Sequence, residues 1–290
     1  MYERGLKRRL TLALFLGPAL IGIGVFLLGP IVASFVLAFT SWDLLTPPRW
    51  AGLSNFTRLL ADPEVRSALS HTLTFIVLYV PPVMLLGLVV AIALNRNVPG
   101  RGLLRAVYFL PVVTSWVAVA LVWKWLLNPS YGLLNNLLAV VGVTGPAWLF
   151  DPRFAMPAVI LTSLWKDVGF VMTILLAGLQ NVPEELHEAA AIDGATEFQQ
   201  TRFVTVPLLA PAIFFALTIS LINSFQVFDQ VYVMTGGGPA GATTVLIERI
   251  VKNAFSYNAM GYAAAMSWAL FVLVFATSFV LTRLQRRWSW

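Results

Sequence analysis

The chain has 290 residues, of which 59% are hydrophobic and 11% are charged, and its formal net charge is +6. An average soluble domain is about 25% charged, so a chain of this size with so few charges cannot cover a water-soluble surface, and we expect most of it to lie in lipid. It contains no cysteine and two histidines, which exclude disulfides, a thiolate nucleophile and a histidine-rich metal site.

Six apolar segments follow one another along the chain, and each exceeds the roughly 20 residues needed to cross about 30 Å of hydrocarbon. The first is too long for a signal-peptide core of roughly 7–15 residues. Gly17-Pro18 and Gly29-Pro30 are candidate points at which it breaks in two, and Pro81-Pro82 predicts a kink in the second segment. The sequence therefore predicts an all-α integral membrane protein with about six transmembrane helices, at 10–39, 70–94, 103–127, 154–179, 206–233 and 261–284.

The lysines and arginines between these segments and at their ends predict the orientation of the chain. With the N-terminus inside, eleven of them fall on the inner side and six on the outer side, and the side with the excess is the cytoplasmic one. We therefore expect both termini in the cytoplasm. The inner set is Arg4, Lys7, Arg8, Arg9, Arg96, Arg101, Arg105, Arg202, Arg283, Arg286 and Arg287, and the outer set is Arg49, Arg58, Arg66, Arg153, Arg249 and Lys252.

One predicted inner loop, residues 181–205, is acidic and rich in helix formers instead of basic. Pro183 suits the first turn of a helix, and the glutamates that follow it suit the positive end of the helix dipole. Gly194 predicts the end of that helix in a left-handed cap. A second short helix over 196–204 is expected to lead to Pro207 at the next membrane entry. The product is a helix–turn–helix elbow along the inner face.

The elbow carries a pattern of Glu-Ala-Ala, then glycine, then a proline at the next span. Three further motifs accompany this pattern elsewhere in the chain. They are Phe109-Leu-Pro111, Leu164-Trp-Lys-Asp-Val-Gly169, and the stretch from Phe225-Gln-Val-Phe-Asp to Gly236-Gly-Gly-Pro239. In these motifs the chain resembles, over nearly its whole length, the permease subunits of binding-protein-dependent ABC sugar importers of the maltose and glycerol-phosphate type. The resemblance implies the type I ABC importer permease fold, with a first part over 1–69 and a core transmembrane domain over 70–290.

In that family the cytoplasmic loop docks into a groove on an ATPase subunit. The resemblance therefore implies a coupling site whose members in this chain are Glu188, Ala189, Ala190, Asp193, Gly194 and Pro207. It also implies a location in the bacterial inner membrane and four kinds of partner: lipid, a second homologous permease, two ATP-binding cassette subunits and an extracytoplasmic sugar-binding protein. ATP and Mg would be bound by the ATPase, so no cofactor and no catalytic residue is expected here. An ordinary surface helix with exposed acids is the competing interpretation of the loop.

Polar residues inside the fifth segment indicate a path for a sugar, since polar groups in membrane spans are expensive and commonly functional. Ser220, Asn223 and Ser224 share one helix face, and Trp116 offers an aromatic wall for the apolar face of a sugar ring. The resemblance adds further positions, so that the expected path comprises Val112, Trp116, Leu121, Gly169, Ser220, Asn223, Ser224 and Val227. As an alternative, the same side chains would form hydrogen bonds between packed helices. The main sugar site would then be equally compatible with the second permease subunit.

The remaining motifs are assigned structural roles. Lys166 and Asp167 are expected to form a charged pair that faces protein or water, and Asp229 is expected to be hydrated. Gly236-Gly-Gly-Pro239 lacks the Gly-Lys-Ser/Thr ending of a nucleotide site, so we expect a flexible outer loop there.

Two other function classes are alternatives to the ABC importer permease. An ion-coupled secondary transporter predicts internal repeats and paired broken helices near the midplane, and no convincing repeat is present. A membrane enzyme would need a histidine cluster, a Gly-x-Ser-x-Gly turn or metal-ligand spacing, none of which the sequence contains. The transported solute stays open among mono-, di- and oligosaccharides and phosphorylated polyols.

Overall fold

The computed structural model describes residues 5–96 and 99–288. The side chains of 6–8 and of 286–288 lie outside that description. The description therefore excludes Arg4 and the side chains of Lys7, Arg8, Arg286 and Arg287, all of which are predicted on the inner side.

The first span is one continuous helical run. It consists of α1 (Leu6–Ile23), a π-helical turn (Gly24–Leu28) and α2 (Gly29–Leu37). The backbone N–H of Gly29 donates to the carbonyl of Gly24, the i→i−5 bond of a π-helix. The helix therefore does not break at Gly29-Pro30. The π turn widens the helix locally, so that the missing N–H of Pro30 is accommodated and the helix continues.

The residues after α2 form the rest of a first compact unit, which contains the chain up to Asp62 together with Ile250–Ala269. Its secondary structure is β1 (Thr40–Ser41), paired antiparallel with β2 (Arg49–Trp50), and α3 (Ser54–Ala61). The buried amide of Asn55 donates to the carbonyls of Ala38 and Thr40, each at 2.9 Å. These bonds close the turn that follows α2, because buried carbonyls need partners.

The second compact unit contains Pro63–Arg249 together with the chain from Leu270 onward. Its centre is a pair of long helices, α4 (Pro63–Asn95) and α8 (Pro152–Leu179). A Cβ built on Gly87 would lie 2.5 Å from the Val171 side chain, so the two helices approach closely at this glycine. Helix α4 runs through Pro81-Pro82 without ending, which the adjacent helix supports by packing.

Two of the predicted spans are bent pairs of helices and not single helices. In the third, α5 (Arg101–Val113) meets α6 (Trp116–Leu126) at 99°. The cause is Thr114 and Ser115, which both adopt extended backbone after Pro111. Elsewhere the helical run from Glu197 to Leu208 meets α12 (Ala210–Phe225) at 70°. The prediction of one continuous span over 206–233 is wrong, because the helix ends at Phe225.

Shorter helices complete the chain, and the last is a long apolar one. Among the described residues, four helices are long and apolar enough to span a membrane, or up to six if each bent pair is one span. The remaining helices are α7 (Leu133–Val140), α9 (Glu184–Ile192), α10 (Glu197–Gln200), α11 (Val206–Leu208), α13 (Asp229–Met234), α14 (Leu246–Val251) and α15 (Met260–Trp288), with π turns at Thr201–Thr205 and Lys252–Ser256.

Candidate functional sites: an exposed elbow and a polar cavity

The elbow is residues 183–208, which follow the Leu179 end of α8. Its first arm is α9, with Glu184 and Glu185 in the first turn. The arm ends in a Schellman motif: Gly194 has φ +81°, its N–H donates to Ala191 at 3.0 Å, and the N–H of Ala195 donates to Ala190 at 2.9 Å. The left-handed cap predicted at this glycine is confirmed.

The second arm begins with a capping box. The Thr196 N–H donates to the Gln199 side chain at 2.8 Å, and the Gln199 N–H donates back to the Thr196 hydroxyl at 3.4 Å. The arm then runs through α10, a π turn and α11, where Pro207 occupies the first turn. It is longer than the predicted 196–204, and it ends at the 70° bend into α12.

The elbow presents apolar side chains on its surface. Ile192 is 86% exposed and Phe198 is 71% exposed. Of the predicted coupling residues, Glu188, Ala189, Asp193 and Gly194 are exposed and Ala190 is half-buried. Exposed large apolar groups beside small ones are typical of a surface that a partner covers. Sequence reasoning missed Ile192 and Phe198, although their place on an otherwise polar loop was the available signal.

One ion pair ties the elbow to the end of α4. The Arg96 guanidinium lies 2.7 Å from the Glu197 carboxylate, and both side chains are exposed. Such a pair contributes about 0–1 kcal/mol, so it orients the elbow without locking it. Beside it lies a cavity of about 640 Å³ whose lining includes Arg96, Gln180 and His187. The elbow therefore stands partly free of the helices behind it.

A second cavity, of about 290 Å³, lies near the middle of α8. This cavity, called here the central cavity, combines an aromatic wall with amides, two hydroxyls and two carboxylates. Such a set suits a polyhydroxyl solute, because rings stack on the apolar face of a sugar while polar groups bind its hydroxyls. Its lining is Phe75, Tyr79, Trp116, Asp167, Asn223, Ser224, Gln226, Val227, Phe228, Asp229 and Gln230.

Half of the predicted path residues meet at this cavity. Trp116, Asn223, Ser224 and Val227 line it. Ser220 lies one turn before them, and its carbonyl accepts the hydroxyl of Ser224 at 2.5 Å. Ser220 itself is buried, 3% exposed, and lies outside the lining of the central cavity.

Three other path residues lie elsewhere. Leu121 is 55% exposed and outside the lining. Gly169 packs α8 against α5, since a Cβ at this position would lie 1.9 Å from the Tyr108 carbonyl oxygen. Val112 uses its carbonyl to accept a hydrogen bond from Lys166 at 3.0 Å. None of the three is in the lining of the central cavity.

Unwound backbone positions several of the lining groups. Helix α12 ends at Phe225, and α13 begins at Asp229, after three intervening residues. The residues between them, 226–228, all line the central cavity. Irregular backbone at membrane depth is tolerated where it lines a polar cavity. The break therefore brings both the side chains and the main chain of this stretch to the cavity.

Lys166 and Asp167 are bound to other groups and not to each other. The Lys166 ammonium is 3% exposed and donates to the carbonyls of Pro111 and Val112, each at 3.0 Å. It also lies 4.9 Å from the centre of the Trp116 ring. The Asp167 carboxylate accepts from the Tyr79 hydroxyl at 2.7 Å. Neighbours in a helix point in different directions, so Lys166 supports the α5–α6 bend while Asp167 faces the cavity.

We expect Lys166→Met to lower thermal stability, because it removes the side-chain donor to the Val112 carbonyl and one of the donors to the buried Pro111 carbonyl, and an unsatisfied buried acceptor costs about 1–3 kcal/mol. The matched control is Lys124→Met, since Lys124 also donates to a helix-end carbonyl, that of Val233 at 3.2 Å, but is exposed. The measurement is the melting temperature of the detergent-purified protein. Equal melting temperatures for the two variants would contradict this role of Lys166.

The Gly236-Gly-Gly-Pro239 loop is held by hydrogen bonds and is not the flexible loop that the sequence predicts. The Thr243 hydroxyl donates to Gly238 at 2.7 Å and the Thr244 hydroxyl to Gly237 at 3.1 Å. The Thr244 carbonyl in turn meets the His71 ring at 3.0 Å. The threonines fix the loop because their short hydroxyls reach its main chain.

The chain matches a family model described as "Binding-protein-dependent transport system inner membrane component" over residues 83–290. Among its relatives are two named sugar permeases. The trehalose/maltose transport system permease protein MalF of Thermococcus litoralis is 36% identical, with 93% of this chain and 91% of the relative covered. The lactose transport system permease protein LacF of Rhizobium radiobacter is 36% identical, with 92% and 91% covered.

A solved structure of an importer is also similar to this chain. A chain of a bacterial ABC transporter involved in the import of the acidic polysaccharide alginate superposes with a TM-score of 0.87. It is 26% identical, and 97% of each chain is covered. The same transporter is known in a complex with an alginate pentasaccharide-bound periplasmic protein. The bent spans and the elbow thus occur in a fold already seen in importers.

Proposed function

The chain belongs to the family of inner membrane components of binding-protein-dependent transport systems, and on that basis we propose that it moves a sugar across the membrane as the permease subunit of an ATP-driven importer. It is a multi-pass membrane protein. One observation carries the proposal: α8 contributes Asp167 to the central cavity and leads at Leu179 into the elbow. A single rigid helix therefore links a solute-sized polar cavity to a surface built for a partner.

We assign the elbow to coupling with a separate ATPase. Glu188 and Asp193 offer charge-assisted hydrogen bonds to a basic surface, while Ile192 and Phe198 offer apolar anchors. The Schellman turn and the capping box give the elbow a fixed shape. A fixed shape is needed if the elbow is to transmit movement of the ATPase to the membrane helices. ATP and Mg would be held by that ATPase, and this chain would contribute no catalytic residue.

The complete importer would contain a second permease, two ATPase subunits and an extracytoplasmic binding protein. The relatives named for trehalose/maltose and lactose support a sugar as the solute. The alginate transporter's complex with a periplasmic protein supports the binding-protein partner. With the elbow toward the ATPase, both termini would be cytoplasmic, in agreement with the excess of basic residues on that side.

The secondary-transporter alternative gains one observation from the structure. The bend at 114–115 and the helix break at 226–228 resemble the paired broken helices of that class. The family assignment and the exposed elbow still favour the importer, because a self-sufficient transporter has no need of a docking surface for an ATPase on one inner loop. Broken helices are thus a feature that both classes use to build a polar site in a membrane.

Co-purification and ATP dependence test the proposal. The tagged chain, extracted in mild detergent, should bring down an ATP-binding cassette subunit and a second permease. In proteoliposomes the complex should accumulate a radiolabelled sugar when its binding protein and ATP are both supplied. Accumulation by the purified chain alone, without nucleotide, would overturn the proposal.

We expect Trp116→Ala and Asn223→Ala to change uptake kinetics and sugar preference. Both side chains line the central cavity, so the first variant removes the stacking wall, worth about 0.5–1.5 kcal/mol, and the second removes a hydrogen-bonding amide. The control is Leu121→Ala, outside the lining. The measurement is KM and kcat for ATP-driven uptake across a sugar panel. Unchanged values for both cavity variants would show that the path runs elsewhere.

A further inference from the structure

The formal charges in the lining of the central cavity are of one sign. Its lining includes the carboxylates of Asp167 and Asp229, and no lysine, arginine or histidine of the described chain is among its members. Asp229 is exposed, so its carboxylate is accessible to solvent and to a solute. The partner of Asp167 is the Tyr79 hydroxyl, a neutral donor that binds the carboxylate without neutralising it.

The nearby cation, Lys166, offsets these carboxylates only in part, through its attraction for the neighbouring Asp167. Lys166 is outside the lining, and its ammonium is directed at the carbonyls of Pro111 and Val112. Those carbonyls belong to the C-terminal turn of α5, where a cation offsets the negative end of the helix dipole. The hydrogen bonds of Lys166 thus go to the backbone of the α5–α6 bend, and the formal charges in the cavity lining itself are both negative.

We propose that the central cavity is a charge-selective subsite, which accepts uncharged polyhydroxyl solutes and rejects anionic ones such as uronates and sugar phosphates. The inference rests on the proposed function, since it concerns the solute in the permease's own path. Carboxylates accept hydrogen bonds from sugar hydroxyls, so a neutral sugar is bound by Asp167 and Asp229. An anion meets two like charges in a partly desolvated site, where repulsion is stronger than in water.

This selectivity would separate the chain from its structural neighbour in substrate class. The neighbour belongs to an importer of an acidic polysaccharide, whereas the two carboxylates here would repel uronate groups. The phosphorylated polyols that the sequence leaves open would be excluded for the same reason. Asp167 and Asp229 are therefore the specificity-determining residues of the subsite.

Direct solute binding tests the inference. The probes are trehalose and trehalose 6-phosphate, which differ by one phosphate. Saturation-transfer NMR on the detergent-purified permease–ATPase complex, without binding protein, reports affinity at millimolar solute. We expect the phosphate to bind at least about tenfold more weakly than the neutral sugar. In the Asp167→Asn/Asp229→Asn double variant the difference should fall below about threefold. Asp151→Asn, a helix cap outside the cavity that asparagine also fills, should keep the full difference.

A salt titration of the unaltered complex gives an independent readout that needs no variant. Raising the ionic strength from about 20 mM to about 500 mM should strengthen binding of the phosphate and leave the neutral sugar unaffected, because screening weakens only charge repulsion. Equal affinities for the two probes, discrimination that survives in the double variant, or no binding of trehalose would each overturn the inference. ATP-driven uptake of a sugar, measured separately, would still support the proposed function in all three cases.

Discussion

Gly194→Pro should uncouple ATP hydrolysis from transport while the protein stays in the membrane. Gly194 has φ +81°, whereas proline requires φ near −65°, and proline lacks the N–H that binds Ala191. The Schellman turn cannot form, at a cost of about 1–3 kcal/mol, so the two arms of the elbow lose their fixed angle. We expect uptake below about one-tenth of the unaltered level, with sugar-stimulated ATP hydrolysis lost.

The matched control is Gly142→Pro, at another exposed glycine with a left-handed backbone, φ +77°, far from the elbow in sequence. It carries the same conformational conflict but should leave coupling intact. A charge reversal, Glu188→Lys, tests the same surface without backbone strain and should also uncouple. Unaltered sugar-stimulated ATPase activity in both elbow variants, in complexes of normal yield, would count decisively against the coupling assignment.

Gly169→Ala should prevent stable folding of the permease. The added Cβ would lie 1.9 Å from the Tyr108 carbonyl oxygen and 3.3 Å from the Phe109 Cα. Both obstacles are backbone atoms of α5, so no side-chain rotation relieves the clash, and the helices must separate. Overpacking of this kind costs about 1–3 kcal/mol, and more where the backbone itself must move. The measurement is the yield of monodisperse protein and its melting temperature in detergent.

Gly102→Ala is the matched control, because it adds the same methyl group on α5 where nothing lies within 4 Å of the new Cβ. Its melting temperature should equal or exceed that of the unaltered protein, since alanine is the better helix former. The pair also separates two roles of Gly169. A stable Gly169→Ala protein with altered sugar affinity would restore the sequence-based assignment of this glycine to the path.

The elbow could be predicted almost completely because its signals are local. Proline before α9, glycine after it and threonine three residues before glutamine each act within one helical turn. Those residues specify the cap at Gly194 and the start at Thr196 wherever the surrounding helices lie. The membrane class was equally accessible, since the length of an apolar run is a property of the sequence alone.

The cavity depended on contacts that no local pattern contains. Tyr79 and Asp167 are 88 positions apart and meet only because α4 packs against α8. Hydropathy also did not show the bend at 114–115 or the helix break at 226–228, because each lies inside a largely apolar segment and periodicity does not register a break. Trp116 and Asn223 could be chosen as polar or aromatic exceptions in apolar runs, but their neighbours could not.

The sequence by itself determined that this protein spans a membrane, which family it belongs to and how its elbow turns, since each rests on composition or on bonds within a few residues. Tertiary structure alone decided that Gly169 is a packing contact, that Lys166 supports the α5–α6 bend, and that two carboxylates face one cavity. The physical reason is that side chains on different helices acquire a shared environment only when the helices pack. Such packing depends on the shapes of both surfaces and not on either segment alone.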